Sequence, residues 1–379
     1  MKCSGLDVFS GAAVEVTGGA AIDGVEHLIS PVADLPHLSP GFIDLQVNGF
    51  AGVDYCSPGA GVAEIGASIR AMFATGVTRF FPTVITGTPE NMLGALRNLA
   101  RAKETLAEGP AMDGFHVEGP HISPEDGPRG AHPRHCVRPP DFDEFRRWQE
   151  AANGQVKLVT VSPEWAETPA YVERLVRESV AVAVGHTKAT AEQIDAAVKA
   201  GATLSTHLGN GAHSTMARHP NYIWEQMADD RLAASFIVDG IHLGRAFLTV
   251  AVRAKGVERS VLVTDAVMPA GCRPGPYMLG EVEVELHADG SVRLRGGDRL
   301  AGSALTMDRA IGNVMRLAGV SLREAVTMAT VNPARVGRVG GRHRGLAAGQ
   351  RGDLVVFRVV DGMVRVLETW LGGECVYRV

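Results

Sequence analysis

Eight short apolar runs, separated by stretches of helical length, follow Pro40, and this alternation constrains the fold more than any other feature. The runs are continuous in Val, Ile, Leu and Phe, which is typical of strands covered on both faces. They are Phe42–Val47, Arg79–Val84, Gly114–Val117, Leu158–Val161, Ala181–Gly185, Thr203–Thr206, Ala234–Val238 and Val261–Thr264. Eight β/α units in about 220 residues predict an α/β fold of the (β/α)8 TIM-barrel type rather than an open doubly wound sheet.

The chain has 379 residues, more than the ~250–300 at which single cores stop growing, so a second and smaller unit is expected. Runs of strand character near both ends of the chain are the candidates for this unit. They are Ala12–Val16, Gly24–Ile29, Asp353–Phe357 and Val364–Thr369. We therefore expect residues 1–39 and 345–379 to form a small β-sandwich-like domain, outside a barrel of residues 40–344. Val282–Glu285 and Ser291–Leu294 predict a further hairpin.

Charge and composition exclude several classes of protein. The 37 Lys and Arg against 42 Asp and Glu give a net charge of −5, without a basic block, which argues against nucleic-acid binding. No apolar run reaches the ~18–20 residues of a membrane span. The five cysteines are scattered and form no CxxC pair, so neither a disulfide framework nor a cysteine zinc site is expected. A cytoplasmic protein follows as the expectation.

The candidate site lies at the carboxyl ends of the predicted strands, where barrels of this type carry their chemistry. Glu118, His186, His207 and Asp265 stand at equivalent points after four of the runs. Burying a carboxylate beside imidazoles is costly unless a cation or hydrogen bonds compensate for it. Two histidines and one carboxylate with an open position are a donor set for a catalytic divalent metal, zinc before others. Asp265 is then either a fourth ligand or a general base.

Several short motifs resemble, in order, those of the amidohydrolase superfamily and, within it, the N-acetylglucosamine-6-phosphate deacetylase family. They are Pro40–Asp44, His116–Pro120, Gly185–Thr187, Thr206–Leu208, Asp239–His242, Val263–Ala266 and Ala301–Met307. The resemblance implies a barrel with a small sheet domain from both termini. It also implies hydrolysis of the N-acetyl amide of N-acetylglucosamine 6-phosphate to glucosamine 6-phosphate and acetate. The alternatives are a deacylase of another N-acyl amino sugar or N-acyl amino acid, and a non-catalytic sugar-binding barrel.

The resemblance also implies roles for individual residues. It makes Glu118, His186 and His207 the ligands of a divalent ion, with Zn²⁺ as the first expectation and Fe²⁺, Mn²⁺ or Co²⁺ as alternatives. Asp265 and His132 become the catalytic residues. Substrate contacts are implied for His132, Asn210, Gly211, Arg218, His242 and Leu305. The family forms homodimers in which loop residues reach the partner's phosphate site, and Arg218 stands where such an Arg is expected.

Two departures from the family pattern bear on this interpretation. Most of the superfamily carries His-x-His at the end of the first strand, whereas this chain has Gln46 and Asn48, as some deacetylases of the family do. We therefore expect one metal per chain and a hydrogen-bonded role for the two amides. In the loop after the sixth strand, His219 and Asn221 replace a Glu and a Gly, and His213 is new. These histidines are either extra donors for an anion or solvated loop residues.

Overall fold

Eight parallel strands form the centre of the fold in this computed structural model, which describes residues 1–29, 34–279, 282–341 and 345–379. The strands pair in chain order, and the eighth returns to the first through the Asp265 N–H, which donates to the Gln46 carbonyl oxygen at 3.0 Å. Their side chains are almost all buried. The strands are Phe42–Val47, Val77–Ile85, Phe115–Glu118, Val156–Val161, Ala181–Val184, Leu204–Ser205, Ala233–Ile237 and Ser260–Val263. The predicted barrel is confirmed.

Helices follow most of the barrel strands, as the helical stretches between the apolar runs predict. The described helices are Val62–Phe73, Pro89–Thr105, Phe142–Ala151, Thr168–Arg177, Ala191–Ala200, Tyr222–Ala228, Arg245–Lys255, Met307–Ala318, Leu322–Ala329 and Val331–Val336. Ala191–Ala200 shows why their ends can be predicted. A capping box of Thr190 and Gln193 begins this helix, and Gly201, with φ +116°, ends it.

The short helix Tyr222–Ala228 was not predicted, because it lies inside the altered loop after strand six. Asn221 begins this helix: its Oδ1 accepts from the backbone N–H groups of Ile223 and Trp224, both at 3.1 Å. Asn is among the best N-cap residues. The replacement of the family's glycine at this position therefore has a local structural reason.

Strands from both ends of the chain form one sheet, which contains seven strands in the described residues. In spatial order they are Glu374–Arg378, Met363–Leu371, Leu354–Val360, His37–Pro40, Lys2–Asp7, Ala13–Gly18 and Ile22–His27. The strands Lys2–Asp7, His37–Pro40 and Glu374–Arg378 add to those predicted. The domain boundaries at residues 39/40 and 344/345 remain predictions.

A four-stranded antiparallel sheet follows the last barrel strand along the chain and precedes the last three helices. Its strands are Gly275–Leu279, Val282–Leu286, Ser291–Leu294 and Leu300–Ser303. The predicted hairpin forms the two central strands of this sheet. Its last strand leads directly to Leu305. None of the described helices is long and apolar enough to span a membrane.

A buried arginine ties the barrel to the terminal sheet. Arg79, in barrel strand two, is 2% exposed, and its Nε donates to Asp353 Oδ2 at 2.8 Å. Asp353 immediately precedes a strand of the terminal sheet and also pairs with Arg351 Nε at 3.1 Å. Arg79 Nη1 lies 2.9 Å from Asp113 Oδ2. The two units thus share a buried ionic junction.

Substituting Arg79 tests this junction. Arg79→Met keeps the apolar stem but leaves Asp353 buried with fewer partners, so we expect a loss of about 3 kcal/mol from the free energy of unfolding. The denaturant midpoint measures this loss. Arg177→Met is the matched control, because Arg177 forms an exposed pair with Glu173, worth at most about 1 kcal/mol. Equal effects of the two substitutions would contradict the assigned role.

Candidate metal and active site

Glu118, His186 and His207 converge at the carboxyl end of the barrel, and all three are buried. Glu118 Oε1 lies 2.9 Å from His207 Nε2 and 3.3 Å from His186 Nε2, and the two nitrogens are 3.1 Å apart. Burial alone would raise the pKa of Glu118, but the two imidazoles hold it well below its usual range. The three donor atoms therefore surround one point, with the carboxylate ionised.

The hydrogen bond that His186 makes through Nδ1 leaves its Nε2 as the nitrogen directed at Glu118. His186 Nδ1 lies 2.8 Å from the carbonyl oxygen of Pro128, which can only accept a hydrogen bond, so Nδ1 carries the proton. Nε2 is then the nitrogen of His186 that faces the Glu118 carboxylate, and both groups can be ligands of an ion. Ligands at the ~2.0–2.1 Å typical of zinc lie about 3.3 Å apart in a tetrahedron. The separations of 2.9, 3.1 and 3.3 Å are close to that value. The three residues therefore fit a small divalent ion.

Three of the four strand-end residues adopt a backbone conformation that side chains rarely allow. The φ angles are +47° for His186, +28° for His207 and +49° for Asp265. Each residue lies just after its strand, where the chain turns into a loop. Such conformations cost of order 1–3 kcal/mol each and concentrate at functional sites. The positive φ angles therefore lower the stability of the fold, but they direct these three side chains toward the site.

Asp265 lies beside Glu118, His186 and His207, which we call the triad. The amides of Gln46 and Asn48, which stand where most of the superfamily has histidines, donate to it. Its Oδ1 accepts from Asn48 Nδ2 at 2.6 Å and from Gln46 Nε2 at 3.1 Å. Gln46 Nε2 also lies 2.9 Å from Glu118 Oε1. Burial, with the nearby carboxylate of Glu118, raises the pKa of Asp265 to about 6. The expected hydrogen-bonded role of both amides is confirmed.

His132 reaches the triad from the loop after strand three. Its Nε2 is 3.9 Å from Glu118 Oε2, and its ring centre is 4.4 Å from that of His186. Burial, with the neighbouring His186, lowers the pKa of His132 to about 3, so the ring is neutral. Thr86 Oγ1, 2.7 Å from His132 Nδ1, fixes the ring. Sequence reasoning missed Thr86, which is only one of many threonines near strand ends.

His242 lies at the same rim and is held by Asp239. Nδ1 of His242 is 2.6 Å from Asp239 Oδ2, while Asp239 Oδ1 accepts from the backbone N–H groups of Ile241 and His242, both at 2.8 Å. Burial would raise the pKa of Asp239, but these donors bring it below its usual range. Sequence reasoning named the motif but gave Asp239 no role. The i, i+3 spacing after a strand end was the available signal.

The loop after strand six packs closely against His186 at Gly211. Gly211 has φ +55°, and a Cβ there would lie 2.7 Å from His186 Nδ1, so no side chain fits at this position. The backbone N–H of Asn210 donates to the His207 carbonyl oxygen at 2.9 Å, which forms a tight turn at the start of this loop. Arg218 lies further along the loop and is exposed. Leu305, two residues after the strand Leu300–Ser303, is buried.

His213 is half-buried, and both of its ring nitrogens have partners within the chain. Its Nδ1 lies 2.9 Å from the hydroxyl of Tyr222, and its Nε2 lies 3.0 Å from Glu125 Oε1. Glu125, in the loop after strand three, also pairs with Lys188. Both ring nitrogens of His213 are therefore occupied within the chain, where they join two loops. His219 is exposed, which agrees with the alternative of a solvated loop residue.

Comparison with known proteins agrees with this site. The model of the amidohydrolase family matches residues 37–376. An N-acetylgalactosamine-6-phosphate deacetylase of Escherichia coli O157:H7 is 32% identical, over 93% of this chain and 92% of its own. An N-acetylglucosamine-6-phosphate deacetylase of Bacillus subtilis (strain 168) is 31% identical, over 84% and 80%.

Solved structures show the same relationship. A mutant N-acetyl-D-glucosamine-6-phosphate deacetylase of Mycobacterium smegmatis, in complex with N-acetyl-D-glucosamine 6-phosphate, has a TM-score of 0.86. It is 32% identical, and the match covers 96% of this chain and 94% of that one. The N-acetylglucosamine-6-phosphate deacetylase of Thermotoga maritima also has a TM-score of 0.86, with 28% identity over the whole of both chains.

The donor set predicts the number of metal ions. Gln46 and Asn48 donate to the carboxylates where a second ion would need imidazole ligands. Elemental analysis after mild dialysis should therefore give about one divalent ion per chain. Two tightly held ions per chain would contradict this prediction. His186→Ala and His207→Ala, by contrast, should each leave far less than one ion.

Proposed function

The chain belongs to the amidohydrolase family, and we propose that it is a metal-dependent deacetylase of N-acetylglucosamine 6-phosphate. The reaction cleaves the N-acetyl amide and gives glucosamine 6-phosphate and acetate. The observation that carries this proposal is the convergence of Glu118, His186 and His207 beside Asp265 at one end of the barrel. The names of relatives at 31–32% identity support the substrate class.

In this proposal Glu118, His186 and His207 hold one divalent ion, with zinc preferred because two imidazoles and one carboxylate are a common zinc donor set. Fe²⁺, Mn²⁺ and Co²⁺ are the alternatives. When bound, such an ion supplies a Lewis acid that polarises the amide carbonyl and acidifies water. The position of His186 Nε2, which faces Glu118 and His207 while Nδ1 is bonded to the Pro128 carbonyl oxygen, supports this assignment.

We assign proton transfer to Asp265. Both amides donate to its Oδ1, so Oδ2 is the oxygen suited to take the proton of the attacking water. The same oxygen then delivers the proton to the nitrogen of the leaving amine as the C–N bond breaks. A pKa raised toward 6 by burial suits a group that must both accept and return a proton near neutral pH.

We assign the remaining contacts to the substrate. His132 is neutral and buried beside Glu118, which suits a group that orients the acetyl carbonyl. His242, oriented by Asp239, is assigned to the sugar, and the buried Leu305 to the acetyl methyl group. Asn210 and Gly211 are assigned to the phosphate end through backbone N–H groups. Arg218 is assigned to the same phosphate, and we propose a homodimer in which it acts across the interface.

A second substrate has a specific observation in its favour. The relative from Escherichia coli O157:H7 is named for N-acetylgalactosamine 6-phosphate, which differs from the glucosamine compound only at C4. Both sugar phosphates therefore belong in one assay panel, with the unphosphorylated sugars and an N-acetyl amino acid. Release of acetate from none of them would leave a non-catalytic sugar-binding barrel.

Asp265→Asn separates the two roles considered for this residue. An asparagine keeps an oxygen to accept from Gln46 and Asn48 but cannot accept the proton, so kcat should fall by at least ~100-fold. Metal content should stay near that of the wild type. A variant that loses its metal together with its activity would show that Asp265 is a ligand instead.

Arg218→Ala tests the phosphate assignment. A charge-assisted hydrogen bond to a phosphate dianion is worth about 1.5–3 kcal/mol. The kcat/KM for N-acetylglucosamine 6-phosphate should therefore fall by about 10–100-fold, with little change for unphosphorylated N-acetylglucosamine. Arg253→Ala, at an exposed position on the helix after strand seven, is the control and should match the wild type. Equal wild-type rates on both sugars would refute the phosphate requirement.

A further inference from the structure

Glu164, which the proposed reaction does not use, accepts hydrogen bonds from the loops around His186. Its Oε1 accepts from the Ser123 hydroxyl at 3.2 Å. Its Oε2 accepts from the backbone N–H of Lys188 at 3.0 Å and from the Thr187 hydroxyl at 3.3 Å. The Ser162 hydroxyl lies 2.8 Å from the same oxygen. One carboxylate on the loop after strand four therefore joins the loops after strands three and five.

These contacts enclose the backbone of His186. The Ser123 N–H donates to the His186 carbonyl oxygen at 2.9 Å, while the Ser123 hydroxyl is held by Glu164. On the other side, Glu164 holds the N–H of Lys188, two residues after His186. His186 itself has φ +47°, a conformation that its own preferences disfavour. Neighbouring contacts must therefore maintain this conformation.

We propose that Glu164 is a positioning residue, which holds His186 in the backbone conformation that brings its Nε2 against Glu118 and His207. This inference rests on the proposed function, in which His186 is a metal ligand. A carboxylate suits this role, because its two oxygens can accept at the same time from the Lys188 N–H, which can only donate, and from the hydroxyls of Ser123 and Thr187. Its role is distinct from that of the Pro128 carbonyl, which fixes the ring of His186 rather than its backbone.

Two variants and one control test the role of Glu164. In Glu164→Ala, the dissociation constant for Zn²⁺, measured against a competing chelator, should rise by about 10–100-fold, as is typical when an outer partner of a ligand is lost. At limiting Zn²⁺, kcat for N-acetylglucosamine 6-phosphate should fall while KM stays unchanged, and excess Zn²⁺ should restore much of it. Glu164→Gln should show a smaller rise in the same direction, because its amide oxygen can still accept from Lys188.

Glu167→Gln is the matched control. Glu167 lies three residues further along the chain, is exposed, and its side chain makes no capping hydrogen bond to the following helix. This variant should bind Zn²⁺ like the wild type. Folding of each metal-free variant is checked by its thermal midpoint, so that a general loss of structure is recognised.

The outcome that overturns the inference is a Zn²⁺ affinity of folded Glu164→Ala within twofold of the wild type. If the alanine variant does not fold, Glu164→Gln decides: Zn²⁺ affinity equal to that of Glu167→Gln overturns it as well. Failure of the proposed function has a different signature. A wild-type protein that binds one Zn²⁺ but releases no acetate refutes the reaction, and the Zn²⁺ affinities still decide the role of Glu164.

Discussion

The site depends on one electrostatic constraint: an ionised carboxylate is buried against two imidazole nitrogens. Glu118 cannot remain charged in this position without compensation, because desolvation of an isolated carboxylate is too costly. The amide of Gln46 offers one hydrogen bond to it, and the triad offers room for a cation. The surrounding geometry follows from satisfying this charge, including the left-handed turns of His186 and His207. The backbone strain at His186 and His207 thus accompanies the placement of their imidazoles against Glu118.

The two amides of strand one change the character of the neighbouring carboxylate. Imidazoles at these positions could bind a second ion, whereas Gln46 and Asn48 donate hydrogen bonds to Asp265. A carboxylate that only accepts hydrogen bonds remains more basic than one that is bound to a metal cation. The predicted binding of a single metal ion and the proposed proton transfer therefore both depend on the same two amides.

Much of the barrel and of the triad could be predicted from sequence, because buried parallel strands leave continuous apolar runs and their chemistry collects at one rim. The order of the runs was enough to bring Glu118, His186 and His207 together. The helix Tyr222–Ala228 was missed because it is short and lies in a loop that departs from the family pattern. Sequence gave no signal for the Pro128 carbonyl, since a backbone acceptor has no characteristic side chain. Glu164 was missed because its partners come from three separate loops.

The seam at which the barrel closes has a consequence for the order in which the protein becomes complete during synthesis. Asn48 and Asp265 meet across this seam although 217 residues separate them in the chain, and the Arg79–Asp353 pair spans 274. A nascent chain that has emerged only as far as residue 207 already contains Glu118, His186 and His207, but not Asp265, to which we assign proton transfer. The donor set for an ion is thus complete in the chain before the seam that brings Asp265 beside it can close.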